Sequence, residues 1–307
     1  MLSLLLFQQI AQMFLALLMG YAVVRCGLMK SSDSKVLSVL SLYLIFPCVV
    51  INSFQIEATA DRLQGMLLAL GAAVVSYILF FVLTAILKRP LHLTPVEQAS
   101  ILYPNAANLT IPIISATLGE EYVLYVSMYV IVQVFLMWSH GRLLLSGENQ
   151  FSLKRVLLNI NIISVGIGAA LFLLQIPLPS IVTGALKSVG NMIGPLCMIV
   201  AGMLLGSVDL LQVVKNPNVW KVSCLRLIVY PLAVIGVMHL SGAARLLPDG
   251  EMILLVSLLS SVTPPAAAIT QLAQIYGDEG EYAGAINVMS TVLCLATIPI
   301  MTTLYQL

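Results

Sequence analysis

Tyr103-Pro104-Asn105-Ala106-Ala107-Asn108-Leu109-Thr110-Ile111-Pro112 lies in the middle of an apolar stretch, Val96 to Leu118. Thr263-Pro264-Pro265 lies in the middle of a second one, Met252 to Tyr276, at a matching place in the other half of the chain. A proline removes a backbone donor and clashes with the preceding turn. Inside a bilayer the freed polar groups have no water to turn to, so such breaks persist only where protein or a wet cavity satisfies them again. Interrupted apolar segments at corresponding positions are a sequence pointer to a transporter's binding site. The expected helix-breaking residues are Pro104, Pro112, Pro264 and Pro265.

Composition sets the class. Of 307 residues, 60% are hydrophobic and 9% charged, against about 25% charged in ordinary soluble domains. Mean hydropathy is +1.03. The formal net charge of +1 points to no nucleic-acid partner; the expected surroundings are a lipid bilayer. The first apolar stretch starts at Met1 without a basic leader and runs to Val24, so it is expected to be a retained span. The five cysteines lie scattered, mostly in apolar stretches, without metal-ligand spacing. No cofactor or metal site is expected.

With about 20 apolar residues per span, ten spans are legible: 4–24, 36–54, 63–87, 96–118, 122–144, 156–174, 190–206, 219–240, 252–276 and 282–305. Ser180 to Gly190 places Ile181, Val182, Ala185 and Val189 on one face, the pattern of an interfacial helix leading into the seventh span. The two halves share features. Phe46-Pro47 and Gly194-Pro195 fall inside the second and seventh spans. The fourth and ninth end in Gly-acid-Tyr runs, Gly119-Glu120-Glu121-Tyr122 and Gly277-Asp278 to Tyr282. Five spans per half force the second half to insert upside down, so residues 1–155 and 156–307 read as two inverted repeats. The expected fold is an all-α polytopic membrane protein of ten transmembrane helices in two inverted five-helix repeats, with broken, crossing fourth and ninth helices.

Basic residues collect on one side: Arg25, Lys30, Lys88, Arg89, Lys154 and Arg155 among others, against Arg62, Lys187 and Arg245 on the other. The positive-inside rule makes the first side cytoplasmic, with both termini facing outside or periplasm across the cell's inner (plasma) membrane.

The run from Tyr103 to Pro112 resembles the Pro-Asn…Ile-Pro pattern of the auxin efflux carrier family, which includes plant PIN-type carriers and bacterial organic-acid carriers. The resemblance extends to Thr263-Pro264-Pro265, to Ala296-Thr297-Ile298-Pro299 and to Gly194-Pro195-Leu196 with Gly202-Met203-Leu204-Leu205. Asn108, Thr110 and the second proline, Pro265, depart from the usual pattern. The resemblance implies a fold akin to bile-acid/sodium symporters. Spans one, two, six and seven would form a scaffold, and spans three to five and eight to ten a moving transport domain. It also implies a homodimer through the second and seventh spans, for which Gly194, Ala201 and Gly202 offer small-residue faces.

The expected function is secondary transport of small organic anions by alternating access, in an elevator-like manner. The ligand carboxylate would lie between the breaks. Half-helix N-termini there carry about half a unit of positive charge. Asn105 and Asn108 offer amide donors, Thr110 and Thr263 hydroxyls, and Pro264 and Gln271 flank the second break. Alternatively, the amides cap backbone carbonyls freed by the prolines. Gln133 reads as a helix–helix amide. Tyr43 and Asn52 of the second span could reach the site from the scaffold, and His140 and His239 read as interfacial. Arg226, just inside the eighth span, either attracts an anion or snorkels to lipid headgroups, and the second reading is preferred. The lack of a mid-span carboxylate argues against sodium coupling, although backbone carbonyls at the breaks could still serve a sodium ion; membrane potential, a proton or substrate exchange are the other driving forces left open. No Ser-His pair, HExxH or paired carboxylates suggest an enzyme. The alternative is a channel-like or sensory membrane protein without alternating access.

The charge asymmetry makes the Gly141–Arg155 stretch cytoplasmic. In an otherwise cysteine-free variant of intact cells, Ser146→Cys should stay unlabelled by a membrane-impermeant thiol reagent until the membrane is permeabilised. Labelling from outside reverses the orientation.

Overall fold

A computed structural model describes residues 2–57, 59–147, 154, 158–207, 210–276 and 279–307. Seventeen α-helices account for most of them. These are α1 (Leu2–Arg25), α2 (Ser34–Leu40), α3 (Phe46–Ser53), α4 (Ala60–Leu87), α5 (Pro95–Leu102), α6 (Ile111–Thr117), α7 (Val123–Leu136), α8 (Arg142–Ser146) and α9 (Ile160–Leu173). They continue with α10 (Ser180–Gly190), α11 (Ile193–Ser207), α12 (Leu210–Lys215), α13 (Pro217–Cys224), α14 (Tyr230–Ser241), α15 (Gly250–Ser261), α16 (Ala267–Tyr276) and α17 (Gly280–Tyr305). Among the described residues, six helical stretches are long and apolar enough to cross a membrane: Ser31–Ser53, Ala60–Leu87, Glu120–Ser146, Ser180–Gly206, Pro217–Ser241 and Gly280–Tyr305. Four further apolar helices are shorter: Ala11–Arg25, Ala106–Thr117, Ile160–Leu173 and Gly250–Ser261.

The expected fourth and ninth spans are each two half-helices. The fourth is α5 followed by the helical run Ala106–Thr117; the ninth is α15 followed by α16. In the first, the break falls at Tyr103–Asn105, and Pro112, expected to break the helix, lies inside the run that follows. There a π-helical turn, Ala106–Thr110, precedes it. The same arrangement recurs twice: the wide turns Ser41–Ile45 and Leu225–Val229 lead directly into helices whose second residues are Pro47 and Pro231. A proline ring collides with the carbonyl four residues earlier in a regular helix, and a widened turn moves that carbonyl aside. The sixth span begins at Ile160 rather than 156, and residues 155–157 lie outside those described.

The helices divide their faces as an apolar environment demands. On α4, Ala69, Ala73, Tyr77, Phe80 and Thr84 recur at helical spacing and are buried, while Leu67, Val74, Ile78, Val82 and Ile86 are exposed on another face. Helix α4 packs on α7 and α15, and α17 packs on α13 and α16. Helix α3 packs on α9 and α10.

Helix α1 packs along α11. A Cβ added at Gly202 would collide with the backbone of Leu17, and one at Gly20 with the backbone of Ile199. Gly206 meets Val24, and Gly194 meets Pro112. Helices in lipid associate through such small-residue contacts because no hydrophobic drive separates helix from lipid tail. Gly194 and Gly202, expected as faces for a second copy, are thus occupied within one chain.

Gly202→Val should therefore lower stability by about 1–3 kcal/mol, the typical cost of overpacking, read as a lower melting midpoint in detergent. Gly236→Ala, where an added Cβ meets nothing within 4 Å, should leave the midpoint nearly unchanged. Equal midpoints for the two would contradict the close α1–α11 contact.

Candidate functional site: the crossing of the two broken helices

The two breaks meet. Pro104 and Pro265 form an isolated antiparallel bridge. Neither proline has an N–H to give, so their neighbours make the bonds: Asn105 N–H donates to Pro264 C=O at 2.7 Å, and Ala266 N–H donates to Tyr103 C=O at 2.9 Å. Each residue following one proline thus donates to the residue preceding the other. Pro104 and Pro265 stand at the centre, and the doubled proline of the second break gives Pro264 and Pro265 different tasks.

Side chains from neighbouring helices satisfy the remaining carbonyls in a parallel way. Gln133 Nε2 of α7 donates to Pro104 C=O at 2.6 Å. Asn287 Nδ2 of α17 donates to Pro265 C=O at 2.8 Å. The cost of a stranded carbonyl in lipid is removed at both prolines by one amide each.

Four half-helix ends converge here. The C-terminal ends of α5 and α15 face Arg226. Its Nη1 donates to Ile101 C=O at 3.0 Å, Nη2 to Ser261 C=O at 2.7 Å and Nε to Thr263 C=O at 3.0 Å. The guanidinium lies over the Phe80 ring, 5.4 Å from its centroid. Arg226 is 0% exposed, which overturns the expectation that it snorkels to lipid headgroups. A buried cation is costly unless its donors are met. Here three carbonyls, at ends that each carry about half a unit of negative charge, meet them. The wide turn Leu225–Val229 carries it, in keeping with the frequency of such turns at functional sites.

The N-terminal ends, starting at Ala106 and Ala267, face a narrow cavity. Asn105, Asn108 and Pro264 line it, together with Ser41, Cys197 and Asn287. Its free volume is about 30 Å³, room for one or two waters and too little for a carboxylic acid. A ligand much larger than water would need it to widen. Asn108 Oδ1 is buried without a protein partner. The amides of Asn105 and Asn108 therefore stand beside the breaks without capping them; Gln133 and Asn287 do that.

The other expected residues lie elsewhere. Thr110 is buried, with its hydroxyl 3.5 Å from Leu259 C=O. Thr263 is buried, and its hydroxyl donates to Ser260 C=O at 3.2 Å. Neither lines the cavity. Gln271 is in α16, and its side chain lies outside the described residues. Tyr43 is exposed. Asn52 lines a separate, wider cleft of about 270 Å³ together with Pro112, Ser115, Asn191 and Gly194. Lys187 and Glu120, 3.1 Å apart, also line that cleft.

Two networks brace the crossing. At the start of α5, Thr94 and Glu97 form a capping box. Glu97, 2% exposed, pairs with Lys221 at 3.0 Å and accepts from the Tyr282 hydroxyl at 2.7 Å. Lys221 and Arg226 belong to one continuous helical stretch, Pro217–Ser241, so that stretch holds α5 at both ends. On the other flank, His140 Nδ1 lies 2.7 Å from the Tyr103 hydroxyl and its ring packs edge-on against Phe81. His140 is thus attached to the break rather than free at an interface. Sequence reasoning passed over Asn287, and read Gln133 and Arg226 without a link to the breaks. A lone arginine within an apolar span was the one available signal, because such a residue is a functional-site candidate by default.

No curated protein matches the chain. The family of membrane transport proteins matches residues 5–302, nearly the whole length. With its apolar helices and its paired breaks, the chain belongs to that membrane transport protein family, the auxin efflux carrier family that its proline motifs resemble.

Proposed function

We propose that this membrane transporter is a secondary carrier of small organic anions, mono- or dicarboxylates, and that the carboxylate binds in the cavity beside the crossed breaks. The observation that carries the reading is the placement of Asn105 and Asn108 at that cavity, beside two half-helix N-termini and free of capping duty. Amide donors and partial positive charge without a competing carboxylate suit an anion. The helix N-termini and the amides hold the ligand in place of a free cation, which would be costly to desolvate.

The working cycle in this reading is alternating access. Ten spans form two inverted repeats, residues 1–155 and 156–307, which cross at Pro104 and Pro265. Spans one, two, six and seven act as scaffold; the rest move as a transport domain, in an elevator-like manner. Helix packing supports that division: α1 packs on α11, and α3 on α9 and α10, while α4, α7 and α15 pack together. The cavity lies between the two groups, with Ser41 and Cys197 from the first and the breaks from the second. Both termini face away from the cytoplasm across the inner membrane, and two copies associate through scaffold helices. A channel-like or sensory role without alternating access is the second reading, and counterflow separates it from a carrier.

In proteoliposomes, a preloaded mono- or dicarboxylate should drive saturable counterflow of labelled substrate. Loss of one hydrogen bond to a charged group costs about 1.5–3 kcal/mol, so Asn105→Ala should weaken apparent affinity about tenfold or more with an unchanged melting midpoint. Asn105→Asp, which sets a negative charge against an anion, should do worse. If Asn105→Ala and Asn108→Ala, singly and together, keep normal affinity and rate, the carboxylate binds elsewhere. Flux that is linear in concentration without counterflow favours the channel.

A further inference from the structure

The Arg226 guanidinium occupies a place that could, by its surroundings, hold a free cation. Three backbone carbonyls, of Ile101, Ser261 and Thr263, converge on it within 2.7–3.0 Å. Ile101 and Ser261 stand in the last turns of the half-helices α5 and α15, and Thr263 lies just past the end of α15. In broken-helix carriers, unwound carbonyls and half-helix C-terminal ends are the groups that coordinate a monovalent coupling ion. Here the position is filled by a side chain of the protein. Its charge is permanent, because a guanidinium keeps its proton in proteins. It pairs with no carboxylate among the described residues. It does not line the cavity that holds Asn105 and Asn108, and its bonds run to the crossing itself.

We propose that Arg226 is a resident cation in a carbonyl-built monovalent-cation site at the crossing, so that the protein needs no sodium or potassium ion there. The carbonyls are satisfied in every state of the crossing that keeps Arg226 buried, and the half-helix ends stay tied together without an added ion. Removing the guanidinium leaves three carbonyls at two negative helix ends with no partner. A small cation of the right size then has a site to enter, and cation dependence appears where there was none.

The site itself is tested by thermal unfolding of the full-length protein in detergent, at constant ionic strength in choline chloride, sodium chloride, potassium chloride or methylguanidinium chloride. The wild type should melt at the same temperature in all four. Arg226→Ala should melt lower in choline. Sodium, potassium or methylguanidinium should raise its midpoint saturably, by about 5 °C or more at concentrations well above the dissociation constant. Arg226→Lys, which keeps a charge on the side chain, should remain indifferent to added cations. Arg226→Gln, which keeps donors without charge, should behave like the alanine variant. An Arg226→Ala midpoint that ignores every cation overturns the proposal, as does an Arg226→Gln protein as stable and as indifferent as the wild type. If Arg226→Ala yields no folded protein in any salt, the lysine and glutamine variants decide, and equal stability of the two counts against a cation site.

A flux measurement rests in addition on the transport reading. Counterflow by the wild type should be unchanged when choline replaces sodium on both sides, whereas Arg226→Ala should recover flux only with an added cation. A wild-type requirement for sodium overturns the proposal. Absence of any counterflow, with the melting pattern intact, removes the transport reading and leaves the cation site standing.

Discussion

Everything near the centre of this protein depends on one guanidinium holding two broken helices by their carbonyl ends. A helix broken inside an apolar medium exposes the last carbonyls of its first half and the first N–H groups of its second. Two such breaks double the cost. The chain answers with an antiparallel bridge between Tyr103–Asn105 and Pro264–Ala266, with the Gln133 and Asn287 amides on the proline carbonyls, and with Arg226 on three of the C-terminal ones. The two half-helix N-termini are what remains, and they face the cavity.

That division gives the crossing its electrical character. The cation stands against the negative ends and the neutral amides of Asn105 and Asn108 stand by the positive ends. The charge of Arg226 is therefore spent on backbone dipoles and not presented to a ligand. A carboxylate in the cavity would meet fixed dipoles and amides that need little rearrangement, the general advantage of preorganised donors. A ligand held there by dipoles and amides alone would leave without breaking a full ion pair.

Around this centre, prolines and glycines set where helices bend and how near they come. Pro47, Pro112 and Pro231 each follow a π-helical turn. One of those turns carries Arg226, and another carries Asn108. A widened turn re-aims the residues it contains, so the same device that accommodates a proline also delivers the side chains of the site. Gly20, Gly202 and Gly206 draw α1 and α11 into contact, and α11 lines the cavity through Cys197, Met198 and Ala201.

The sequence by itself determined the membrane class, the approximate helices and the existence of two breaks, because hydropathy over about 20 residues and proline chemistry are local properties. Its motifs also pointed to the right family. It marked Asn105, Asn108 and Pro264, which share one cavity. Only the tertiary structure decided that the breaks bond to each other, that Pro265 rather than Pro264 is the counterpart of Pro104, and that Pro112 lies within a helix. Thr110 and Thr263 were read as ligand donors from their proximity along the chain, yet their hydroxyls lie against backbone carbonyls. Arg226 is the clearest case. Its partners are 125, 35 and 37 residues away in the chain. Burial and coordination of that kind arise from where helices pack, and no local pattern around residue 226 records where Ile101 will be.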